Sequence, residues 1–437
     1  MEITLKGWLA DPLLDVMNFL NEVVLRYPQA VSFAPGRPSE RHFDVERSLG
    51  TAALWVESRA RAAGLPPRAV WNDIGQYNKT NGVINDLIAR QLAADEGIAA
   101  RPESIIVTTG CQEGMAILLL GLIDPAADAL LVSDPAYIGI PGLARIMGLT
   151  VIPVPTGERG LDPAAVGRAM AEARRMGRRP RALYDVPDFN NPLGTRMPLE
   201  ARRALLALAH ENGMLIWEDN PYGMFSYDGP PLPTLKALDE HGVVIYMGSF
   251  SKTLFPGLRL GYLVTDQQVV LASGQRSPLA AELSKIKSLT TVNTSTVVQA
   301  IAGGILLETG GSLRPLVAAK LPFYRGNRDA MLAALDGALG DLGEVRWNRP
   351  EGGFFLTLTL PFEFTDDDLT ACARDYGVIV CPMRFFALTP GRERQVRLSF
   401  SYVTEEQIAE GIARFARFVR DRATAAQPAL TASGHGS

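Results

Sequence analysis

The stretch of sequence that decides the fold is residues 249–262, which read SFSKTLFPGLRLGY. It follows an apolar run and places one lysine, Lys252, among hydroxyl side chains, with Arg259 seven residues later. A lysine just past a buried strand can form a Schiff base with an aldehyde. Ser249, Ser251 and Arg259 offer the hydrogen bonds and the fixed charge that a phosphate group needs. The segment therefore indicates a site for an aldehyde that carries a phosphate.

Short apolar, β-rich runs precede this stretch and alternate with helical segments. The predicted strands are Ile105–Thr108, Ala129–Val132, Thr150–Val154, Ala182–Val186, Met214–Trp217 and Val243–Tyr246, and the helices between them include Asp162–Met176 and Leu199–Glu211. Such alternation predicts an α/β domain with a mostly parallel, doubly wound sheet. Ligands of such sheets bind at the carboxyl ends of the strands, where residues 249–262 are expected.

A second, smaller region of strands and helices follows a helical stretch at Leu313–Leu339. Its predicted strands are Gly353–Leu358 and Val396–Phe400, and its predicted helices are Asp366–Tyr376 and Glu405–Ala423. This pattern predicts a smaller α+β domain. Near the start of the chain, Asp11 and Pro12 precede apolar residues at helical spacing, namely Leu13, Val16, Met17, Leu20, Val23 and Val24, which predicts an N-terminal amphipathic helix.

The composition disfavours several classes of protein. The 437 residues are 47% apolar and carry 43 Lys and Arg against 47 Asp and Glu, so no basic excess points to nucleic acid or to an anionic membrane. The three cysteines and four histidines show no metal-ligand spacing, which predicts no metal site. No apolar run approaches the roughly 18 residues of a membrane span, and the start lacks the pattern of a signal peptide. We therefore expect a cytoplasmic protein.

The lysine segment resembles the cofactor-binding motif of the class I and II aminotransferases, which have fold type I and use pyridoxal 5'-phosphate. An isolated SxSK is usually a solvated loop lysine, but further motifs of this family follow here in its order. They are Gly110-Cys111-Gln112 after a predicted strand, Tyr137 in SDPAY, Asn191 in NNPLG, Asp219 and Tyr222 in EDNPY, and Arg397 in VRLSF. The resemblance covers nearly the whole chain.

The resemblance implies a role for each cofactor-binding residue. Lys252 would hold pyridoxal 5'-phosphate and move the substrate Cα proton, and Asp219 would keep the pyridine nitrogen protonated. The phosphate would be held by Gly110, Cys111, Gln112, Ser249, Ser251 and Arg259, the ring would be stacked by Tyr137, and the phenolic oxygen would be bound by Asn191 and Tyr222. Cys111 stands where serine is more usual in the family. Its alternative interpretation is a small buried residue.

The resemblance also implies substrate and partner contacts. Arg397 would bind the substrate α-carboxylate, whereas Arg392 and Arg394 are expected to be surface charges. Substrate contacts are further expected from Asn191 and from Phe33 and Gly36 in SFAPGRP, a segment similar to the family's substrate-gating segment. Tyr77, in QYNKTNG, would reach the partner's phosphate and so implies a homodimer with shared active sites. We accordingly divide the chain into an N-terminal helix and gating segment (1–45), a large domain (46–311), a connecting helix and small domain (312–423) and a flexible tail (424–437).

Within the family, the layout is most similar to the kynurenine/2-aminoadipate branch. Residues 15–22, 32–38, 286–288 and 291–295 further resemble the hydroxyphenylglycine aminotransferases of glycopeptide-antibiotic pathways. This predicts transfer of an amino group to hydroxyphenylglyoxylate, with tyrosine or glutamate as donor. The alternatives are a 2-aminoadipate, kynurenine or general aromatic aminotransferase, or another fold type I enzyme such as a β-lyase, decarboxylase or oxidase. A ligand-sensing regulator is least favoured, because no DNA-binding module is evident and the chemical residues are present together.

Overall fold

The computed structural model describes residues 3, 6–10, 19 and 22–426, which divide into two compact units. The larger unit consists of Arg37–Pro322 with Glu351–Gly353. The smaller unit consists of Phe323–Pro350 and Phe354–Ser437 together with Met1–Gly36, as far as these ranges are described.

The strands are short and are numbered here in chain order. They are β1 Val31–Ser32, β2 Ile105–Thr108, β3 Asp128–Asp134, β4 Thr150–Gly157, β5 Gly160–Leu161, β6 Arg179–Asp185, β7 Leu215–Asp219, β8 Val244–Ser249, β9 Gly261–Val264, β10 Gln268–Val270, β11 Arg276–Pro278, β12 Arg346–Trp347, β13 Phe355–Thr359, β14 Val378–Ile379, β15 Cys381–Pro382 and β16 Gln395–Ser399.

The α-helices of the larger unit lie between and after these strands. They are Val45–Gly50, Ala52–Ala63, Pro67–Ile74, Asn85–Glu96, Gly110–Leu122, Gly139–Ile146, Pro163–Arg175, Leu199–Asn212, Leu235–Leu238, Phe250–Thr253, Leu279–Thr290, Thr296–Glu308 and Arg314–Ala318, and the helix Leu321–Leu339 then leads into the smaller unit.

An eight-stranded sheet forms the centre of the larger unit, in the order β2-β9-β8-β7-β6-β3-β4-β5. Strands β8, β7, β6, β3 and β4 are parallel, whereas β9 runs antiparallel to both β2 and β8. The five parallel strands are nearly continuous apolar runs because helices cover the sheet, and the seven residues of β3, for example, are all buried. The α/β fold with a mostly parallel sheet is therefore confirmed.

The parallel order places the carboxyl ends of β6, β7 and β8 side by side. Each of the six predicted strands corresponds to an observed one, and the two predicted central helices are the observed Pro163–Arg175 and Leu199–Asn212. The sequence predicts no strand at β9, because its first two residues end the lysine segment and no full helix precedes it. This antiparallel strand lies between β2 and β8 and begins beside the end of β8, where Gly261 pairs with Ser249. Arg259, two residues before β9, is therefore at the same end of the sheet.

The smaller unit contains a four-stranded antiparallel sheet in the order β12-β13-β16-β15. Its further helices are Asp366–Asp375 and Glu405–Ala426, and β1 pairs in parallel with β14. Residues 22–26 are helical, and this stretch includes Val23 and Val24 of the predicted N-terminal helix. The other residues of that predicted helix, from Asp11 to Leu20, lie outside the described residues apart from Phe19.

Candidate active site

Asp219 is the last residue of β7 and is almost fully buried. Its Oδ2 accepts a hydrogen bond from the Tyr184 hydroxyl at 2.7 Å, and its Oδ1 is buried with no hydrogen-bond partner among the described residues. Burial raises the pKa of this carboxyl to about 6, although the hydrogen bond from Tyr184, the neighbouring Cys111 thiol and the charge of Lys252 oppose the rise. A buried carboxylate with an open acceptor site fits a ligand that brings an N–H donor or a cation.

Lys252 lies within one turn of helix, Phe250–Thr253, that begins directly after β8. The Ser249 side chain caps this turn by accepting from the Ser251 N–H at 3.1 Å, and Lys320 Nζ donates to the Thr253 carbonyl at 2.6 Å. The Lys252 Nζ is 5.9 Å from the centroid of the Tyr222 ring. The strand register therefore brings Lys252, Asp219 and Tyr222 to one edge of the sheet, as the sequence predicts.

An arginine lies against the start of the helix Gly110–Leu122. Gly110 has a φ of 72°, and a Cβ there would lie only 2.7 Å from Nη2 of Arg259, so no other residue type fits this turn without displacing the guanidinium. The first N–H groups of a helix lack backbone partners and favour anions. Together with Arg259 they form a site suited to a phosphate.

Cys111 and Gln112 occupy the first turn of that helix. The Cys111 Sγ donates to the Gly248 carbonyl at 3.4 Å, and Ser249 also hydrogen-bonds the thiol. Burial raises the pKa of Cys111, next to the Asp219 charge, so the side chain is a neutral thiol. The Gln112 side chain lies beside Tyr137, since a Cβ on Gly139 would meet both of them.

Tyr137 and Asn191 complete the predicted cofactor residues of the larger unit. Burial raises the pKa of the Tyr137 phenol, and the Asp219 charge adds to the rise, which places this ring in the electrostatic surroundings of the buried carboxylate. Asn191 lies in a turn that is closed by hydrogen bonds from the Asn190 N–H to the Thr195 carbonyl at 2.9 Å and from the Gly194 N–H to the Asn190 carbonyl at 2.6 Å.

Arg397 is a buried cation on β16 of the smaller unit. Its guanidinium carbon lies 4.5 Å from the ring centroids of both Phe355 and Phe386, and Nη2 donates to the Ala34 carbonyl. Two aromatic faces hold the guanidinium plane in one orientation and attract its charge.

The neighbouring arginines of the predicted set behave differently from Arg397. Arg394 is exposed, and Arg392 is half-buried, with its guanidinium on the side chain of Gln395. This separates Arg397 from both of them, as the apolar strand pattern predicts.

The predicted substrate residues Gly36 and Phe33 differ in their surroundings. Gly36 lies directly against the Phe355 ring, where a Cβ would come within 2.3 Å of it. The Phe33 ring is fully buried and packs against Gly411 of the helix Glu405–Ala426, whereas the rings over Arg397 are Phe355 and Phe386. Tyr77 of the larger unit has 82% of its surface exposed.

Sequence reasoning missed Tyr184, the residue that hydrogen-bonds Asp219. It was recognised only as part of a predicted strand. In the structure Tyr184 pairs with Trp217, two residues before Asp219, so the three side chains share one face of the sheet. The register of β6 on β7 carries this information, and no signal within either segment reveals it.

Comparisons with known proteins agree with this geometry. Residues 73–415 match the model of the family "Aminotransferase class I and II". The chain is 43% identical to the (S)-3,5-dihydroxyphenylglycine transaminase of Amycolatopsis orientalis over 96% of this chain and 94% of that protein. None of the described helices is long and apolar enough to cross a membrane.

Two solved structures are also similar. The kynurenine aminotransferase of Pyrococcus horikoshii in complex with PMP has a TM-score of 0.79 and 27% identity, with 97% of this chain and 95% of that chain covered. The alpha-aminoadipate aminotransferase LysN of Thermus thermophilus, complexed with N-(5'-phosphopyridoxyl)-L-leucine, has a TM-score of 0.75 and 30% identity, with 92% and 95% covered. The chain therefore belongs to the class I and II aminotransferase family and has the fold of a fold type I aminotransferase.

Proposed function

We propose that this protein binds pyridoxal 5'-phosphate at the carboxyl edge of its large sheet and aminates an aromatic 2-oxo acid. The observation that carries the cofactor assignment is the buried Asp219, whose Oδ1 has no hydrogen-bond partner among the described residues, on the strand next to the one that leads into Lys252. A protonated pyridine nitrogen supplies the donor and the positive charge that this carboxylate lacks.

Each residue of the larger unit then has a defined task. When bound, the cofactor supplies a cationic ring that withdraws electrons from the substrate Cα. Asp219 keeps that ring protonated, and the Tyr184 hydroxyl keeps Asp219 in place. Lys252 anchors the cofactor and afterwards carries the proton at the substrate Cα. Tyr222 and Asn191 donate to the phenolic oxygen, and Tyr137 stacks on the ring.

The phosphate is assigned to the start of the helix Gly110–Leu122. The backbone N–H groups of Gly110, Cys111 and Gln112 and the side chains of Ser249, Ser251 and Arg259 bind its oxygens. Tyr77, exposed on one subunit, is proposed to reach the phosphate of the partner subunit in a homodimer.

Substrate is assigned to Arg397 of the smaller unit, which binds the α-carboxylate through its planar guanidinium. Phe355 and Phe386 keep that plane fixed. Gly36, Phe33 and Asn191 are proposed to contact the rest of the substrate. Phe386 adds aromatic surface next to Arg397, which favours a substrate with a flat ring.

The similarity to the dihydroxyphenylglycine transaminase supports an arylglyoxylate as acceptor. The test is a panel of donors, tyrosine and glutamate, against acceptors, namely a hydroxylated phenylglyoxylate, phenylpyruvate, 4-hydroxyphenylpyruvate and 2-oxoadipate. We expect kcat/KM for the phenylglyoxylate to exceed that for 2-oxoadipate by at least about tenfold, which is roughly 1.4 kcal/mol of transition-state binding.

The other outcomes of this panel are equally informative. Preference for 2-oxoadipate would replace the aromatic assignment with a 2-aminoadipate aminotransferase. Release of ammonia, CO₂ or an eliminated group in place of amino transfer would show a β-lyase, decarboxylase or oxidase that uses the same fold.

A further inference from the structure

A half-buried carboxyl, Glu96, contacts the turn that joins Asp219 to Tyr222. It is the last residue of the helix Asn85–Glu96. Glu96 Oε2 accepts two hydrogen bonds, from the Tyr246 hydroxyl at 2.5 Å and from Asn220 Nδ2 at 3.0 Å. The assignments above give Glu96 no task, although burying a carboxyl is costly.

Asn220 connects Glu96 to the turn of residues 219–223. Its Nδ2 donates to Glu96 and contacts the Tyr246 hydroxyl at 3.3 Å, while its Oδ1 accepts from the Gly223 N–H at 2.9 Å. Its own N–H donates to the Met247 carbonyl of β8 at 3.1 Å. A Cβ on Gly223 would lie 2.5 Å from Asn220 Oδ1, so the turn closes tightly around this amide. The amide orientation is therefore determined from both sides.

We propose that Glu96 is a positioning residue, which acts through Asn220 to hold the turn of residues 219–223 and thereby sets where Asp219 and Tyr222 stand. The proposal rests on the proposed function, which assigns Asp219 and Tyr222 to the cofactor. A carboxylate accepts the two hydrogen bonds more strongly than a neutral carboxyl does, because charge-assisted hydrogen bonds are about twice as strong. Ionisation of Glu96 therefore tightens the turn, and protonation loosens it.

Removal of Glu96 from water is the main reason why this ionisation occurs near neutral pH. Burial raises the pKa of Glu96 to about 7, with a further rise from the negative charge of Asp95, while Tyr246, Asn220 and Gln91 oppose it. The positively charged side chain near Glu96 is Arg314. Its guanidinium contacts Asp95, through the side-chain Oδ1 at 3.8 Å and through the backbone carbonyl, and makes no ion pair with Glu96 among the described residues. The Tyr262 hydroxyl, a further titratable group near Glu96, donates a hydrogen bond to Gln91 Oε1 at 3.2 Å.

Asp95 and Asp188 are the other carboxylates near Glu96. Asp95 accepts from Gln91, Ser312 and the Leu313 N–H, and Asp188 is paired with Arg202. Both of these carboxylates are thus already engaged with other groups.

Glu96 also has a route to solvent for its proton. A cavity of about 240 Å³ in the larger unit includes Glu96, Asn220 and Gly223 in its wall. Its lining also contains Gly229, Pro231 and Arg314, which are exposed, so the cavity reaches the surface. Glu96 can therefore exchange its proton without passing through the residues that hold the cofactor.

The test compares wild type with Glu96→Gln, which keeps the hydrogen-bond acceptor but cannot ionise, and with Glu96→Ala and Asn220→Ala, which break the contact. Glu211→Gln, an exposed glutamate on the helix Leu199–Asn212, is the matched control. The first measurement uses the cofactor-free protein, whose unfolding equilibrium is followed by denaturant titration between pH 5.5 and pH 8.5.

Because the pKa of Glu96 is raised in the folded state, folding is favoured at low pH and this contribution is lost as pH rises through about 7. Between pH 5.5 and pH 8.5, we expect the folding equilibrium constant of wild type to fall by at least about tenfold more than that of Glu96→Gln. Glu211→Gln should follow wild type. If the stability of wild type and of Glu96→Gln changes equally with pH, Glu96 does not ionise in this range and the proposal is overturned.

The second measurement uses the reconstituted enzyme. We expect the visible absorbance of the bound cofactor and kcat/KM to show a wild-type ionisation near pH 7 that is absent in Glu96→Gln. Glu96→Ala and Asn220→Ala should lower kcat about tenfold with little change in KM, and Glu96→Gln should keep, at every pH, the kcat that wild type shows at pH 5.5, where Glu96 is protonated. An active wild type with unchanged kcat in both alanine variants would overturn the proposal, whereas an inactive wild type would instead refute the proposed function.

Discussion

Each unit of this protein buries a charged side chain to which the proposed function gives a role, and the two charges are held in different ways. Asp219, in the larger unit, receives a hydrogen bond from Tyr184 and keeps one oxygen without a partner among the described residues. Arg397, in the smaller unit, is covered on two faces by the rings of Phe355 and Phe386. The anion is thus held by a polar donor, and the cation is held by aromatic surface.

The difference shows what each site is suited to bind. A buried carboxylate with one oxygen that receives no hydrogen bond attracts a group that remains bound through many turnovers, such as a protonated cofactor ring. The reason is that a buried charge without a partner costs free energy. Aromatic faces stabilise a guanidinium without occupying its edge, where a carboxylate docks with two hydrogen bonds. Such an edge suits a substrate that must arrive and leave in each cycle.

The largest expected effect in the larger unit comes from Lys252→Ala. Loss of the cofactor anchor and of the proton carrier should lower kcat by at least about 10⁴-fold while the protein still folds. Borohydride reduction of the wild type with bound cofactor, followed by peptide mapping, should locate the pyridoxyl label on Lys252. Lys285→Ala, at an exposed lysine, should retain both the label and the activity. A label on another lysine would refute the assignment.

Asp219→Asn should lower kcat by about 10²- to 10³-fold, because a neutral amide does not keep the cofactor ring protonated. The loss should appear as slow cleavage of the substrate Cα–H bond in single turnovers. Cofactor affinity should change less. A near-normal single-turnover rate would contradict the role of Asp219.

Asp219→Asn, which lowers activity, should raise the stability of the cofactor-free protein. Since the pKa of Asp219 is about 6 in the folded state, its protonated form favours folding at low pH, and this contribution disappears as pH rises through 6. At pH 8 Asp219→Asn should therefore be more stable than wild type by up to about 3 kcal/mol, and the difference should shrink towards pH 5. Asp185→Asn, which removes another buried carboxyl whose pKa is raised to about 6, should show a similar shift without the loss of kcat.

In the smaller unit, Arg397→Lys tests whether charge alone is sufficient. Lysine keeps the positive charge but loses the planar pair of donors and the stacking on both rings. We expect kcat/KM to fall about 30- to 150-fold, which corresponds to one hydrogen bond to a charged group of about 2–3 kcal/mol. Much of this loss should appear as a higher KM for both substrates. Arg394→Lys, at an exposed arginine, should have little effect, and equal losses in the two variants would argue against a specific role for Arg397.

The smallest effect is expected from Phe386→Leu, which removes one of the two rings over Arg397. A cation–π contact of about 1 kcal/mol corresponds to about a fivefold rise in KM. Phe362→Leu is the matched control, because Phe362 makes the same kind of contact with Arg422, at 5.3 Å, elsewhere in the smaller unit. An equal change in both variants would indicate a loss of packing in place of a loss of carboxylate binding.

Much of the larger unit could be predicted from local sequence. Its central parallel strands β3, β7 and β8 are mostly buried on both faces and are therefore largely apolar runs, so their positions and their alternation with helices are visible without a structure. The lysine segment and the motifs at Gly110, Asn191 and Asp219 follow such strands directly, which explains why they could be placed at one edge of the sheet. The strand β9 cannot be predicted in this way, because a short apolar run does not show in which direction the chain crosses the sheet.

By itself, the sequence determined the α/β class, the family resemblance and the list of residues proposed to carry the chemistry, because each depends on residue types at short spacing. Only the tertiary structure decided which distant residues support that list. Tyr184 meets Asp219 through the register of β6 on β7, Glu96 meets Asn220 across 124 positions of sequence, and Phe386 covers Arg397 through packing in the smaller unit. These contacts depend on strand register and side-chain packing, which arise only when segments far apart in the chain come together.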